Sequence, residues 1–468
     1  MTGAAASGGS EPVERLGASF RDPSGYVIRY RGEAWRVVQP EFREHYDLLM
    51  QSGLYGRLVE LGLLIAHEEV APPAGLGQPY KVLRPRQVGF ISYPYEWCFS
   101  QLKDAALATL QIQTEALARG LTLKDATAFN LQFVDGRPVW IDTLSFERLD
   151  PQEPWVAYQQ FCRHFLAPLA LMSRRDVRLG QLLRIHLDGI PLDLASRLLP
   201  RSTWCQLWLL LHLHLHARSQ RKHAGDAPST KPARRGLSLN SRRGLVHSLE
   251  AAVRALHWTP PKSAWGNYYE ETVTGGNYLA HKQTLVSEWL GRQKPGSVWD
   301  LGANTGRFSR LAAAREIPVY AFDGDPDCVE LNYLECRQRG DKHLLPLWMD
   351  LTNPSPALGW AGQERSAWLD RGQPDLVMAL ALLHHLALGN NLPLDRLAHF
   401  FHGLSARLLI EFVPKDDPNA QKLLRVRRDI FTGYSRAGFE AAFAGHFRIL
   451  ESCELQNSGR RLYLMERA

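Results

Sequence analysis

The six cysteines, at positions 98, 162, 205, 328, 336 and 453, are scattered, and no two form a Cys-x-x-Cys pair. That spacing excludes a zinc ribbon and offers no disulfide framework, so a reducing cytoplasm is the expected compartment. Long apolar runs are also missing. The longest, Leu207 to Leu211, is far too short to span a bilayer and gives way to histidines. The first ten residues have neither a basic start nor an apolar core, and they read as a loose tail rather than a signal peptide. Arginine clusters interleaved with aromatics are absent too, so the net charge of +7 does not indicate nucleic acid as a partner. What is present is an ordinary soluble composition, 45% hydrophobic and 22% charged over 468 residues, enough for two or three domains.

Composition divides the chain. Residues 1–22 are a flexible tail, 23–222 an N-terminal α+β and helical region, 223–243 a linker rich in Gly, Pro, Ser, Lys and Arg, and 244–468 a C-terminal domain. In the first half, Tyr26 to Val38 predicts a hairpin about Arg31-Gly32-Glu33, and Glu41 to Ile65 carries apolar residues at helical spacing. Ala71 to Pro85 reads as turn-rich, Val88 to Tyr93 as a strand and Leu102 to Ala118 as a long helix. Asp135-Gly136 is a strong hairpin signal between two apolar runs, which puts Asp125 and Asn130 on the loop before the hairpin and Asp142 just after it. On a helix His212 and His216 share a face, but no third and fourth ligand stands nearby and no metal is expected.

The second half opens with helices over Gly244 to His257 and Tyr278 to Gly291. Between them lie Trp265-Gly-Asn-Tyr-Tyr and Thr274-Gly-Gly-Asn, which suit either a lid or simple packing. From Val298 apolar strands alternate with helices, the pattern of a parallel sheet covered on both faces. Val298 to Ser309 is a buried strand, a glycine-bearing turn and a helix start, where close backbone approach and helix N–H groups favour a negatively charged ligand group. A dinucleotide loop needs glycines at 302, 304 and 307; this chain has Asn304 and Arg307, and its second glycine is Gly306. Asn304 suits the loop because Asn tolerates a left-handed backbone. The second strand ends at Asp323, 21 residues after Gly302, the distance at which an acid grips ribose hydroxyls. Strands at Leu344 to Trp348, Asp375 to Leu380 and Leu408 to Val413 follow, and a hairpin from Phe447 to Met465 closes the chain.

Asp300-x-Gly302-x-x-x-Gly306, with Asp323, Asp350 and the terminal hairpin, resembles class I S-adenosylmethionine-dependent methyltransferases over Val298 to Ala468. The resemblance implies a Rossmann-like α/β domain with a seven-stranded methyltransferase sheet and S-adenosyl-L-methionine as cofactor. It implies that Asp300, Gly302, Asn304, Thr305 and Gly306 hold the amino-acid end, Asp323 the ribose, and Asp350 and Leu351 the adenine edge. Acceptor chemistry is expected from His384, His385 and Glu411, since a hydroxyl acceptor needs a base. No Asn-Pro-Pro-Tyr follows the fourth strand, so the expected acceptor is an oxygen on a small molecule, lipid or glycan. Asp350-Leu-Thr-Asn-Pro-Ser-Pro, the His pair and Glu411-Phe-Val-Pro-Lys-Asp are similar to stretches of large bacterial methyltransferases with an extra N-terminal half, some of nodulation type.

Asp125, Asn130 and Asp142 follow the order of the base and metal ligands of kinase-like phosphotransferases, and the N-terminal half resembles that α+β fold over Tyr26 to Leu149. It departs at several points. No glycine-rich loop precedes the segment, Arg36 stands where the strand lysine belongs, Leu123 and Lys124 precede Asp125, and Thr-Leu follows Asp142. Polar residues around an ordinary hairpin and a catalytically silent kinase-like fold both stay open, the latter implying a half that aids substrate recognition. The competing readings are a bifunctional chain with an active phosphotransferase half, and a non-catalytic scaffold.

Overall fold

A computed structural model describes residues 12–218, 238–261, 275–425 and 429–468. Its N-terminal sheet has five antiparallel strands in the order β1-β2-β3-β5-β4: β1 (Glu14–Arg15), β2 (Gly25–Tyr30), β3 (Glu33–Val38), β4 (His67–Val70) and β5 (Lys81–Pro85). The first turn has Arg31 and Gly32 at φ +54° and +76°, as a two-residue hairpin requires. β1 lies within the expected tail, and β4 and β5 occupy the stretch read as turns or left without a strand. Val88 to Tyr93 forms no strand. Its apolar character has another cause: Phe90 packs against Trp299, Tyr320 and Phe322 of the C-terminal sheet.

The helix Phe99–Leu117 follows, then two small antiparallel pairs, β6 (Leu121–Leu123) with β9 (Phe146–Arg148) and β7 (Leu131–Val134) with β8 (Arg137–Trp140). Asp135 and Gly136, both at positive φ, make the turn between β7 and β8. Short helices cover 158–217. The predicted linker and the aromatic, glycine-rich lid candidate lie largely outside the described residues, although the helix Leu239–Ala255 begins inside the linker.

The second sheet has seven strands in the order β12-β11-β10-β13-β14-β16-β15. β10 (Val298–Leu301), β11 (Val319–Asp323), β12 (Leu344–Trp348), β13 (Leu376–Ala379) and β14 (Arg407–Phe412) run parallel. β15 (Phe447–Glu454) and β16 (Arg461–Arg467) close it as an antiparallel hairpin. β10 to β13 are buried at nearly every position, the mark of a sheet covered on both faces. From β10 the chain first builds outward through β11 and β12, then returns to the other side with β13, so the order reverses beside β10.

The two halves are not independent bodies. One apolar cluster contains Leu49, Leu102 and Phe165 together with Trp299, Phe322 and Met465. Across the same boundary Arg371 forks onto Glu96 at 2.5 and 2.8 Å, with both side chains about 1–2% exposed, and Ser355 donates to Glu96 at 2.6 Å. A carboxylate with three such donors is compensated for its burial.

Candidate functional site

A cavity of about 530 Å³ opens at the carboxyl ends of β10, β11 and β13, beside the point where the strand order reverses. Open parallel sheets bind ligands in this crevice, and the volume lies within the usual range for small-molecule sites. Gly302, Asn304, Asp323, Asp350, Leu351 and His385 line it. So do Gly324, Met349, Leu380, Ala381, Leu382, Leu386 and Asn390, which sequence reasoning did not single out.

The glycine turn is built from its own hydrogen bonds. The amides of Gly302 and Ala303 donate to the Phe322 carbonyl at 2.8 and 3.0 Å, Asn304 donates to Asp323 Oδ2 at 2.7 Å, Thr305 to Asn304 Oδ1 at 2.8 Å, and Gly306 to the Ala303 carbonyl at 2.9 Å. Asn304 sits at φ +51°, the left-handed conformation suited to Asn. The helix after the loop, Ser309–Ala313, has only five residues. The amides of Gly302 to Gly306 thus already have acceptors within the turn, and a helix of five residues carries little dipole. What the loop offers is close approach of backbone. At Gly302 (φ +73°) a Cβ would stand 3.0 Å from Leu382, and at Gly306 (φ +77°) it would stand 2.3 Å from the Asn332 side chain. Thr305 and Gly306 shape the turn without lining the cavity.

Asp323 accepts from the amides of Asn304 and Asp325, at 2.7 and 2.8 Å, so it ties the glycine loop to the end of β11. Burial pushes its carboxyl up to about 6, and the two amides oppose the rise. Asp300 does not reach the cavity. It is 2% exposed, takes the Ser309 hydroxyl at 2.6 Å, and burial pushes it up to about 7. Its place is behind the loop, outside the residues that line the cavity. Asp350 caps its own turn through the Thr352 amide and hydroxyl, at 2.8 and 2.7 Å.

The three acceptor-side candidates separate. His385 lines the cavity, and burial with Arg460 nearby pushes it down to about 4, so it is neutral at pH 7. His384, its neighbour at 4.2 Å between ring centroids, is fully buried, and among the described residues neither of its nitrogens has a hydrogen-bond partner. It does not line the cavity. Glu411 is fully buried in an ionic cluster: Lys282 Nζ at 2.5 Å, the Tyr278 hydroxyl at 2.6 Å and Arg460 at 3.5 Å, with Arg460 also forked onto Asp417 at 2.7 and 3.0 Å. Burial raises its carboxyl, and Lys282 and Arg460 more than offset this and hold it below the ordinary range. Glu411 is therefore a structural carboxylate, not an accessible base. Lys282 and Arg460 lie far along the chain from it, and no local pattern marks them as its partners.

In the N-terminal half, Asp125, Asn130 and Asp142 do meet, around a polar cavity of about 670 Å³ with Arg36, Lys124, Arg163 and Arg365. Asp142 Oδ1 pairs with Arg36 at 2.7 Å and takes the Leu144 amide at 3.1 Å, and Oδ2 takes the Ser145 hydroxyl at 2.6 Å. His212 and His216 do not form a metal pair, since His212 bonds Tyr158 and Ser248 at 2.8 and 2.7 Å. Among the described residues no group of three His, Cys, Asp or Glu is placed to hold a metal, and no helix is long and apolar enough to cross a membrane.

No family model matches the chain. Nodulation protein NoeA of Rhizobium meliloti (strain 1021) is 33% identical over 462 residues, 97% of this chain and 96% of that protein. Among solved structures, magnesium protoporphyrin IX methyltransferase from Synechocystis PCC 6803 with bound SAH aligns over 41% of this chain and 86% of its own, with 18% identity and a TM-score of 0.29. N-methyltransferase NodS from Bradyrhizobium japonicum WM9 aligns over 42% and 99%, with 11% identity and a TM-score of 0.29.

Proposed function

The chain belongs to the family of nodulation protein NoeA, and from that premise we propose that it is a methyltransferase that uses S-adenosylmethionine to methylate an oxygen of a small molecule, lipid or glycan. The observation that carries this reading is the meeting of Gly302, Asn304, Asp323, Asp350 and Leu351 around one cavity at the reversal of the strand order. These residues suit the donor. Asp323 is an acceptor for ribose hydroxyls, the turn at Gly302 admits close approach, and Met349, Leu351, Leu380 and Leu386 give apolar walls for a flat base. When bound, the donor supplies an activated methyl on a sulfonium.

The chain's own residues then align the acceptor and exclude water, which is most of what an in-line displacement needs. His385 is neutral near pH 7 and stands on the wall, so it is the side chain best placed to take a proton from an acceptor hydroxyl. His384 backs it, and the Lys282–Glu411–Arg460 cluster fixes the floor behind both.

The N-terminal half, kinase-like in this reading, is catalytically silent and contributes to acceptor recognition. The Arg36–Asp142 pair supports this, because a cation of the chain itself occupies the carboxylate a metal would need. The whole chain works in the cytoplasm. Incubating the protein with methyl-labelled S-adenosylmethionine and cell extract, then identifying the labelled product, tests the proposal. Label in a hydroxyl-derived methyl ether or ester supports it. Transfer to nitrogen rejects the oxygen acceptor, and no transfer above a heat-killed control rejects the activity.

A further inference from the structure

The segment from Thr203 to Ala217 carries apolar side chains on its outer side as well as its inner one. His212 and His214 point inward and are buried, His212 bonded to Tyr158 and Ser248, His214 to Ser196 and Thr203 at 2.8 and 2.9 Å. Leu209 and Leu213 share that buried side, while three other leucines face out. Leu207, Leu211 and Leu215, each four residues from the next, are 56%, 43% and 42% exposed, and Trp204 and Trp208 are exposed beside them. Leu239, on the helix Leu239–Ala255 that packs against residues 207–209, is exposed as well. Scattered exposed apolar residues are ordinary, but a stripe of leucines with two tryptophans, placed outward while histidines are buried, marks a face with a partner.

Charge identifies the partner. Arg201, Arg218 and Arg243 are exposed at the ends of this face and on the neighbouring helix, and among the described residues none pairs with a carboxylate. Among the described residues between 201 and 255 there are five arginines and one acid, Glu250. A leucine stripe flanked by tryptophans, with arginines at its ends and on the neighbouring helix, supplies the elements of an interfacial membrane contact, in which apolar side chains enter the acyl boundary and arginines meet lipid phosphates. We propose that this face docks the protein on an anionic lipid surface as a peripheral contact, with no segment crossing the bilayer. The inference does not rest on the methyltransferase reading.

Co-sedimentation of the full chain with vesicles tests it, using phosphatidylcholine alone and phosphatidylcholine mixed with phosphatidylglycerol. Partition onto the anionic vesicles is expected to exceed that onto neutral ones by about tenfold or more and to fall with salt. Leu211→Gln and Arg218→Glu, both at exposed positions, are each expected to lower it by about tenfold at unchanged circular dichroism. Equal partition onto both vesicles, or anionic binding that neither substitution weakens, overturns the proposal. So does a self-association in sedimentation equilibrium that Leu211→Gln abolishes while vesicles are not bound, because the face then belongs to a second copy.

Discussion

Replacing Glu411 by Gln separates a structural carboxylate from a catalytic one. The native group is fully buried and meets Lys282 at 2.5 Å and Tyr278 at 2.6 Å, while Lys282 is only 2% exposed. Neutralising Glu411 removes the carboxylate in contact with the buried Lys282 ammonium and leaves it only the more distant Asp300, whereas Arg460 keeps its fork on Asp417. Breaking one side of a buried pair typically costs about 3–5 kcal/mol. Removing both charges, as in Lys282→Met with Glu411→Gln, leaves nothing uncompensated and is expected to recover at least about half of that loss. The assay is urea unfolding of both single variants and the double variant, closed as a cycle. The sign with pH also follows: the folded carboxyl lies below its ordinary value near 4.5, so its contribution is present above that value and is lost as pH falls through the depressed one. Unchanged unfolding in Glu411→Gln, together with lost turnover and intact cofactor affinity, would refute the structural role and restore Glu411 as a base.

Other outcomes follow from the same geometry. Gly306→Ala is expected to destabilise the glycine turn by about 1–3 kcal/mol and to weaken S-adenosylhomocysteine binding, since the new Cβ meets Asn332 and φ is +77°; thermal unfolding and calorimetry read both. Burial holds His164 at about 3 and His212 at about 4, so both are neutral in the fold while the unfolded chain protonates near 6.5. Stability is therefore expected to decline as pH falls from about 6.5 towards 4, by up to about 1.4 kcal/mol per pH unit for each group, a trend visible in the midpoint of urea unfolding against pH. His385→Asn is expected to lower turnover by about 10²-fold or more with cofactor affinity within about twofold, a contrast that single-turnover rates and calorimetry resolve. Asp142→Asn, in contrast, is expected to leave S-adenosylhomocysteine affinity unchanged and to destabilise the N-terminal half by about 3 kcal/mol, because it strands Arg36.

The C-terminal strands were legible because each is a short apolar run bounded by turn residues, and because Gly302, Asn304 and Gly306 need backbone that few other residues adopt. Asp323 was legible from its distance to the loop. Tertiary relations were not. Asp300 and Asp323 look alike as acids at strand ends, yet Ser309 draws one behind the loop while the other faces the cavity. Glu411 looked like a base because its partners, Lys282 and Arg460, are 129 and 49 residues away. Phe90 belongs to an apolar run that reads as a strand, and only the opposite sheet explains it. The leucine and histidine alternation from Leu207 to His216 gave no sign of which face is buried, since hydrogen bonds to Ser196, Thr203 and Ser248 decide that.

The most direct measurement is isothermal titration of the purified full chain with S-adenosylhomocysteine, repeated on Asp323→Ala. The expected result is one site per chain, weakened about tenfold or more by the substitution, as the loss of a charged acceptor for ribose hydroxyls implies. Absence of binding, or binding that Asp323→Ala leaves unchanged, would contradict the assignment of this cavity to the methyl donor.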